Sequence, residues 1–443
     1  MVDLELSEAC PPRLSLTALF LRFMRFGVLA FGGPVAQIAM IRRELVEEER
    51  WIDSSRFNRL LAVMQVLPGP EAHELCVHMG IRARGRLGGL LAGLGFMLPG
   101  LVLMLLAAWA YSELAGQSPI LAAVFVGVQA AVLAIIARAV HRIGEHILTS
   151  LSLWIIMGAT AVATIGGVSF WIVLPAAGLT YAGVRSGRWW LVAVALSAAI
   201  AMGLVTQLNA TGFAPPPTAA MAATTFALFL AGLKGGLLTF GGAYTAIPFV
   251  KADTVDRGWA TDAQFLDGVG LANVLPAPLV IFATFVGWMS SGLLGALATT
   301  AGVFLPAFAF SMIFYERLER VVEDERLQAF LTGVAAAVVG VIVVTAFQLA
   351  EAALANTPNL PLTATLFLFG AAVVYFWKSR YNAPVVLVTG AIVAAAWLRR
   401  VGNVRNGSKA NIEIRAVRTS ARGSPADIRS WRMAALIGEL LCD

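Results

Sequence analysis

Two interruptions of apolar sequence decide how this chain folds: Phe31-Gly32-Gly33-Pro34 and Leu67-Pro68-Gly69-Pro70. Both are repeated about 209 residues later, as Phe240-Gly241-Gly242-Ala243 and Leu275-Pro276-Ala277-Pro278. We call these sites the first and second glycine breaks and the first and second proline breaks. Glycine and proline end or bend helices. Inside a bilayer, an irregular backbone persists only where protein covers it or where it lines a water-filled cavity. The four breaks are therefore predicted to form the functional site.

The composition indicates a membrane protein. Of the 443 residues, 59% are hydrophobic and 13% are charged, whereas a soluble domain carries about 25% charged residues. Apolar segments of about 20 residues recur along the chain, which predicts an all-α polytopic integral membrane protein with about 10–13 membrane segments. The lipid bilayer is thus an expected partner, and nucleic acid is not. The net charge of +6 comes mainly from basic residues at the ends of apolar segments, where they set topology.

Arginines flank the apolar segment 60–79 on both sides, from Arg56 and Arg59 to Arg82, Arg84 and Arg86. A full crossing would place one arginine cluster outside, against the positive-inside bias. We therefore predict a re-entrant hairpin that bends at the first proline break. The alternative is an ordinary span kinked at proline. Five further apolar segments follow this hairpin, near 87–111, 120–138, 147–168, 169–184 and 189–208.

The second half repeats this plan. The predicted domains are a cytoplasmic segment 1–14, a first repeat 15–208, a linker 209–218, a second repeat 219–401 and a basic, disordered tail 402–443. Ten basic residues lie within 22–86, but three lie within the matching 231–295. The loss of positive charge predicts that the second copy faces outward. Inverted repeats with broken helices at their interface are typical of secondary transporters.

Matched cations accompany the breaks. Arg25 and Lys234 lie six residues before the phenylalanine of each glycine break, and Arg42 and Lys251 lie eleven residues after it. Such cations suit a dianion, which Arg can hold with two hydrogen bonds. The alternative is that they only set topology, above all for Arg42 and Arg43, which stand beside glutamates. The glycine pairs likewise have an alternative explanation, close helix packing.

Three carboxyls are candidates for carrying a coupling proton: Glu71 and Glu74 beside the first proline break, and Asp267 on the matching second-half segment. They can equally pair with arginines at a wet hairpin tip. A metal site is not predicted, because His73 and His78 are five residues apart rather than four. Neither a phosphate-binding glycine loop nor a nucleophile motif is recognisable, so no enzyme activity and no cofactor are expected.

The breaks and the residues between them resemble the chromate ion transporter family, in its two-domain form. The resemblance covers about 15–398, and implies a carrier of the bacterial cytoplasmic (inner) membrane that exports chromate, driven by the proton-motive force, as an antiporter. Many members carry Ser-Thr-Gln after the Gly-Pro, where this chain has Ala72-His73-Glu74. A charged carboxyl there would repel chromate unless it is protonated or paired. The matching residues are Phe31-Gly32-Gly33-Pro34, Ile38-Ala39-Met40, Trp51, Phe57, Gln65 and Leu67-Pro68-Gly69-Pro70, with the second copy from Phe240 to Pro278.

The sequence thus predicts a secondary transporter in which a tetrahedral oxyanion, chromate or a sulfate-like ion, binds between the breaks. Protons and a second copy of the chain, as a homodimer, are further expected partners. The alternatives are a passive anion channel, a sulfate carrier, and a membrane enzyme that uses His73, Glu74 and His78. Arg42 and Arg43 are assigned to cytoplasmic access of the anion. The predicted oxyanion-binding residues are Arg25, Gly32, Gly33, Pro34, Gln65, Pro68, Gly69, Pro70, Lys234, Gly241, Gly242, Asn273, Pro276 and Pro278.

Overall fold

The structure is a computed structural model. It describes residues 11–65, 68–114, 119–212, 222–240, 242–313, 324–355, 359–377, 379, 381–397 and 399–400. Regular structure in these ranges is helical throughout, which confirms the all-α prediction. Gly241, the C-terminal tail and most of the N-terminal segment lie outside the described residues. The predicted linker starts inside a helix that ends at Gly212, and 213–218 lie outside the described residues.

The first half contains eight helices in the described residues. They are α1 (Leu16–Val28), α2 (Gly33–Arg42), α3 (Ser54–Met64), α4 (Glu71–Leu114), α5 (Pro119–Ile147), α6 (Leu151–Ile165), α7 (Phe170–Arg185) and α8 (Trp189–Gly212). The described second-half helices are α9 (Thr225–Leu237), α10 (Ile247–Thr254), α11 (Asp262–Val274), α12 (Phe282–Ile313), α13 (Glu325–Ala355), α14 (Leu360–Phe376) and α15 (Asn382–Trp397). A π-helical turn, Arg43–Glu48, extends α2, and 3₁₀ turns, Ala243–Ala246 and Leu279–Ile281, precede α10 and α12.

The repeat seen in the sequence is also a repeat of structure. Helices α1 and α9 both have 13 residues and begin at equivalent positions, 16 and 225. Helices α4 and α12 each contain one irregular dipeptide at equivalent positions. Arg84 and Gly85 have φ/ψ of −144°/30° and 64°/−163°, and Ser291 and Gly292 have −157°/33° and 61°/−152°. The near identity of these angles shows that both halves make the same turn.

At these dipeptides the chain reverses, so α4 and α12 are each a hairpin of two arms. In α4, Gly80 of the first arm (71–83) packs against the backbone of Gly88 in the second arm (86–114). In α12 the hydroxyls of Thr284 and Thr300 are 2.7 Å apart across the equivalent hairpin. The first arm of α4 is about 20 Å long, too short for a hydrocarbon core of about 30 Å, while the second arm is long enough.

Helix α3 and the first arm of α4 converge on the first proline break as two short legs. Their far ends also come together, because both Arg56 at the start of α3 and Arg82 at the end of the arm lie within electrostatic range of His78. This is the geometry of the predicted hairpin with arginines on one side; its placement in the bilayer remains a prediction. Four of the described helices are long and apolar enough to cross a membrane, and five shorter apolar helices accompany them.

The two halves interlock through their later helices. Helices α6 and α7 of the first half pack on α13 of the second half, and α14 packs on α5 of the first half. Glycines allow these close approaches: Gly333 of α13 meets Gly178 of α7, and Gly127 of α5 meets Gly390 of α15. Small residues at helix contacts are typical of membrane proteins, where close backbone packing replaces the hydrophobic driving force. The interlocking leaves the four breaks facing each other at the centre.

Candidate functional site

All four breaks line one narrow gap between the two halves. The gap has a volume of about 10 Å³, which is close to the space that one water molecule needs. It is too small for a tetrahedral oxyanion in this conformation. Its lining residues are Pro34, Gln37, Pro70, Glu71, Ala72, Gly242, Ala243, Pro278 and Leu279.

Hydrogen bonds join the halves beside this gap at two equivalent places. The backbone N–H of Gly69 donates to the carbonyl oxygen of Thr239 across 2.9 Å. At the equivalent pair, Ala277 and Ala30, the side-chain amide of Gln37 bridges the two carbonyl oxygens, with both distances 2.9 Å. The contacts are reciprocal: the proline break of each half meets the glycine break of the other half or the residue just before it. Gln37 is only 1% exposed, and its equivalent position in the second half is Ala246.

The glycine conformations explain why helices begin at the gap. Gly32 and Gly33 have φ of 87° and 75°, and Gly242 has φ of 129°, values that other residues rarely adopt. These residues turn the chain so that α2 starts at Gly33, with Pro34 in its first turn. Helix α4 starts at Glu71 after Pro70, and the two 3₁₀ turns start after Gly242 and Pro278.

Four helical N-termini therefore converge on one gap, two from each half. The first N–H groups of a helix have no partner within the helix, and the helix dipole makes this end positive. Such an end attracts anions. The gap concentrates this property without placing a lysine or arginine side chain in its described lining.

The predicted cations Arg25 and Lys234 lie in matched ion pairs rather than in the gap lining. Arg25 pairs with Glu44 at 3.1 Å, and Lys234 pairs with Asp253 at 2.6 Å. Lys234 also lies 4.3 Å from the ring centroid of Phe170. Glu44 and Asp253 occupy equivalent positions in the two repeats, 209 residues apart. Each carboxylate connects the end of the first helix of its repeat to the helical segment after the glycine break.

The other predicted charged pair, Arg42 and Arg43, lies at the outer end of α2. Arg42 contacts Glu47 at 3.5 Å and donates to Ser54 at 3.0 Å, while Arg43 pairs with Glu48 at 2.9 Å. Both arginines remain partly exposed. This position is compatible with either a topological role or anion access.

Polar candidates on α11 are held by neutral neighbours from several helices. The Asp267 carboxylate is 1% exposed and accepts hydrogen bonds from the Tyr111 hydroxyl at 2.8 Å and the Gln129 amide at 3.0 Å. The Asn273 side-chain oxygen accepts from Tyr244 at 2.7 Å. Asp267 thus joins the second half to α4 and α5.

The remaining predicted residues stand at the breaks themselves. Gln65 directly follows α3 and is half-buried, whereas Pro68, Gly69 and Pro70 are buried. Pro276 is also buried, and its carbonyl oxygen lies beside Gly100 of α4.

The first turn of α4 carries three ionisable side chains in buried surroundings. Glu71 lines the gap and is 8% exposed. His73 and Glu74 have no exposure, and neither carboxyl oxygen of Glu74 has a hydrogen-bond partner among the described residues. The His73 ring packs against Phe304 and Phe308 of α12, with centroids 5.0 and 4.7 Å away.

Sequence reasoning missed two residues that the structure places at the site. Gln37 bridges the halves. It could have been recognised in the sequence as the single amide side chain among the apolar residues that follow the first glycine break. Arg142 on α5 is exposed, yet it lies within electrostatic range of both Glu71 and Tyr244. No described carboxylate is close enough to form an ion pair with Arg142. The sequence placed this arginine only in a loop between spans.

Comparison with known proteins gives one consistent result. The chromate transporter family matches residues 17–184 and 226–396. The chromate transport protein of Pseudomonas aeruginosa is 57% identical over 394 residues, 88% of this chain and 94% of that protein. A probable chromate transport protein of Synechococcus elongatus is 31% identical, over 86% of this chain and 95% of that protein. The chromate transport protein of Cupriavidus metallidurans is 30% identical, over 86% and 93%. No solved structure matches the chain.

Proposed function

The chain belongs to the chromate transporter family, and from this premise we propose that it moves chromate across the bacterial cytoplasmic membrane as a secondary transporter. The observation that carries the proposal is the convergence of four helical N-termini, two from each half, on one gap. In this proposal the oxyanion oxygens are held by the backbone N–H groups of the helical turns that follow Gly33 and Gly242; on the first of these turns they begin at Val35, because Pro34 has no N–H. The family consists of transporters rather than enzymes. This agrees with the sequence analysis, which predicts no enzyme activity.

The closed gap implies how transport proceeds. A volume of about 10 Å³ is too small for chromate, so the halves must separate at the breaks to admit it. Separation on one side at a time gives alternating access, for which inverted repeats provide the two equivalent conformations. The unequal arginine content around the two sets of breaks supports this inversion. The direction that we propose is export, which lowers cytoplasmic chromate and confers resistance.

The cation that faces the bound oxyanion is Arg142 in this proposal. It has no described carboxylate partner and acts electrostatically on Glu71, which lines the gap. Arg25 and Lys234 can contribute to oxyanion binding only if their ion pairs with Glu44 and Asp253 break. At an effective dielectric constant of about 20, one nearby charge contributes about 1–2 kcal/mol to holding an anion, which corresponds to roughly 5- to 30-fold in affinity.

The decisive experiment measures chromate uptake into inverted membrane vesicles that contain the full chain. We expect uptake that stops when an uncoupler removes the proton gradient and the membrane potential, and that a sulfate excess reduces only weakly. Arg142→Ala should weaken the apparent affinity by roughly 5- to 30-fold. Arg185→Ala, at the exposed end of α7, is the matched control and should not.

Other outcomes select other functions. Uptake that an imposed membrane potential drives equally well with and without a proton gradient would identify a passive anion channel. Strong competition by sulfate would identify a broader oxyanion carrier. Absence of chromate flux, with the protein present and folded, would refute the proposal.

A further inference from the structure

Glu74 presents the sharpest unexplained chemistry in the described part of the molecule. Its side chain is fully buried, and neither of its carboxyl oxygens has a hydrogen-bond partner among the described residues. Burying a charge without a partner is very unfavourable. Unsatisfied buried polar groups are rare in native proteins, so each one calls for an explanation in structure or function.

The carboxyl lies directly behind the oxyanion gap. Glu74 is on the first turn of α4, and the gap is lined by Glu71 and Ala72 of the same turn and by Pro70, which precedes it. Its oxygen Oε1 occupies the space beside Gly69, where a Cβ atom would come within 2.5 Å of it. A glycine in the first proline break therefore makes room for this carboxyl. A bound oxyanion and a charged Glu74 would share the N-terminus of α4.

The groups that face Glu74 leave its charge uncompensated. On its own helix, Glu71 is the charged group whose field reaches it, and that field is repulsive. The neighbouring His73 ring turns toward Phe304 and Phe308. From α12, Ala307 lies beside Gly69, and its side chain cannot titrate. Asp267, by contrast, is held by two hydrogen-bond donors on other helices.

We propose that Glu74 is the proton-binding residue of the transport cycle, and that an oxyanion binds in the gap together with one proton on the Glu74 carboxyl. The inference rests on the proposed function and deepens it. At pH values high enough for Glu74 to be charged in the empty protein, its carboxylate takes one proton from solvent in the binding step and becomes a neutral carboxylic acid, while the oxyanion enters as a dianion. No bond of the oxyanion is made or broken. Protonation removes the negative charge of Glu74, which would otherwise compete with the oxyanion and with Glu71 for the N-terminus of α4.

This linkage fixes the direction of the proton relative to the oxyanion. A proton that binds with the oxyanion moves with it, whereas the antiport expected from the sequence requires Glu74 to lose its proton when the oxyanion binds. The membrane potential still favours export in the cotransport case. A dianion leaving with one proton carries one net negative charge outward, and an inside-negative potential of about 100 mV contributes about 2.3 kcal/mol per charge.

The test counts protons during chromate binding. Purified full-length protein is titrated with chromate in two buffers of different ionisation enthalpy, at several pH values on either side of neutrality. We expect the wild type to take up about one proton per chromate over part of this range, and its affinity to change by up to tenfold per pH unit there. Glu74→Gln should bind without this uptake and lose the pH dependence. Glu351→Gln, which changes an exposed carboxyl on α13, is the matched control and should keep it; the titration of chromate itself is common to all three proteins.

Several results would overturn the inference. Proton release, or no proton exchange at any pH, in the wild type excludes the linkage without any variant. Uptake that persists in Glu74→Gln assigns the proton to another group. If Glu74→Gln does not fold, Glu74→Asp retains a carboxyl and should retain uptake. A wild-type protein that binds no chromate contradicts the proposed function instead, whereas chromate binding without proton uptake contradicts only the role of Glu74.

Discussion

Replacing Gln37 by leucine tests whether the breaks of the two halves hold each other closed. The Gln37 amide donates to the carbonyl oxygens of Ala30 and Ala277, both at 2.9 Å and both on buried residues. Leucine has similar volume but cannot donate, so two buried acceptors lose a partner. Each unsatisfied acceptor costs about 1–3 kcal/mol, or about 4 kcal/mol for the two. Burial of the leucine side chain offsets about 2 kcal/mol. We therefore expect a net destabilisation of about 2 kcal/mol.

The measurement is the free energy of unfolding in mixed micelles titrated with SDS, followed by tryptophan fluorescence. Gln348→Leu is the matched control, because Gln348 is exposed on α13 and its replacement should change stability by less than about 0.5 kcal/mol. Chromate should recover part of the loss in the Gln37 variant if it stabilises an open conformation in which the bridge is already broken. A Gln37→Leu protein as stable as the control would refute the bridge between the halves.

Two further predictions concern the hairpins. Gly88→Ala should remove most folded protein from size-exclusion profiles, because its new methyl group would overlap the carbonyl oxygen of Gly80 in the facing arm. Gly158→Ala on α6, which has open space around it, should leave the profile unchanged or gain up to about 1 kcal/mol of stability. If the repeats are inverted, Arg84→Cys and Ser291→Cys in a background without other cysteines should react with a membrane-impermeant thiol reagent from opposite sides. Labelling of both from the same side would contradict inversion.

Much of the fold could be predicted from the sequence because helix breakers inside apolar segments have few tolerated structures. The two sets of breaks, their spacing and the spans that follow each correspond to elements of the structure. The hairpin form of α4 and α12 was not predicted beyond the first proline break. Its turn depends on Gly85 and Gly292, which look like ordinary glycines between apolar segments. Only the facing glycines, which appear side by side after folding, reveal the reversal.

The electrostatics of the site were harder to predict, because a charge reveals its partner only in three dimensions. Arg25 and Lys234 match by position, and the sequence equally shows that Glu44 and Asp253 match. From the sequence alone, two matched cations that bind a ligand cannot be distinguished from two matched cations that form ion pairs within the protein. Arg142 has no matched residue that would draw attention to it. Nothing in its local sequence indicates that the end of α5 reaches the second glycine break.

The breaks also explain why an anion would favour the conformational change that admits it. Helical N-termini buried at an interface carry donors that need partners. In the closed conformation one half supplies a partner to a donor of the other, since the Thr239 carbonyl oxygen accepts from the N–H of Gly69, two residues before α4. Separating the halves removes these bonds, so an empty open site is unfavourable. An oxyanion that accepts from the freed N–H groups replaces the lost bonds and stabilises the open conformation selectively. The second half has Ala246 where the first has Gln37. Opening toward one side of the membrane therefore breaks different hydrogen bonds from opening toward the other side, and the two open conformations need not be equally populated.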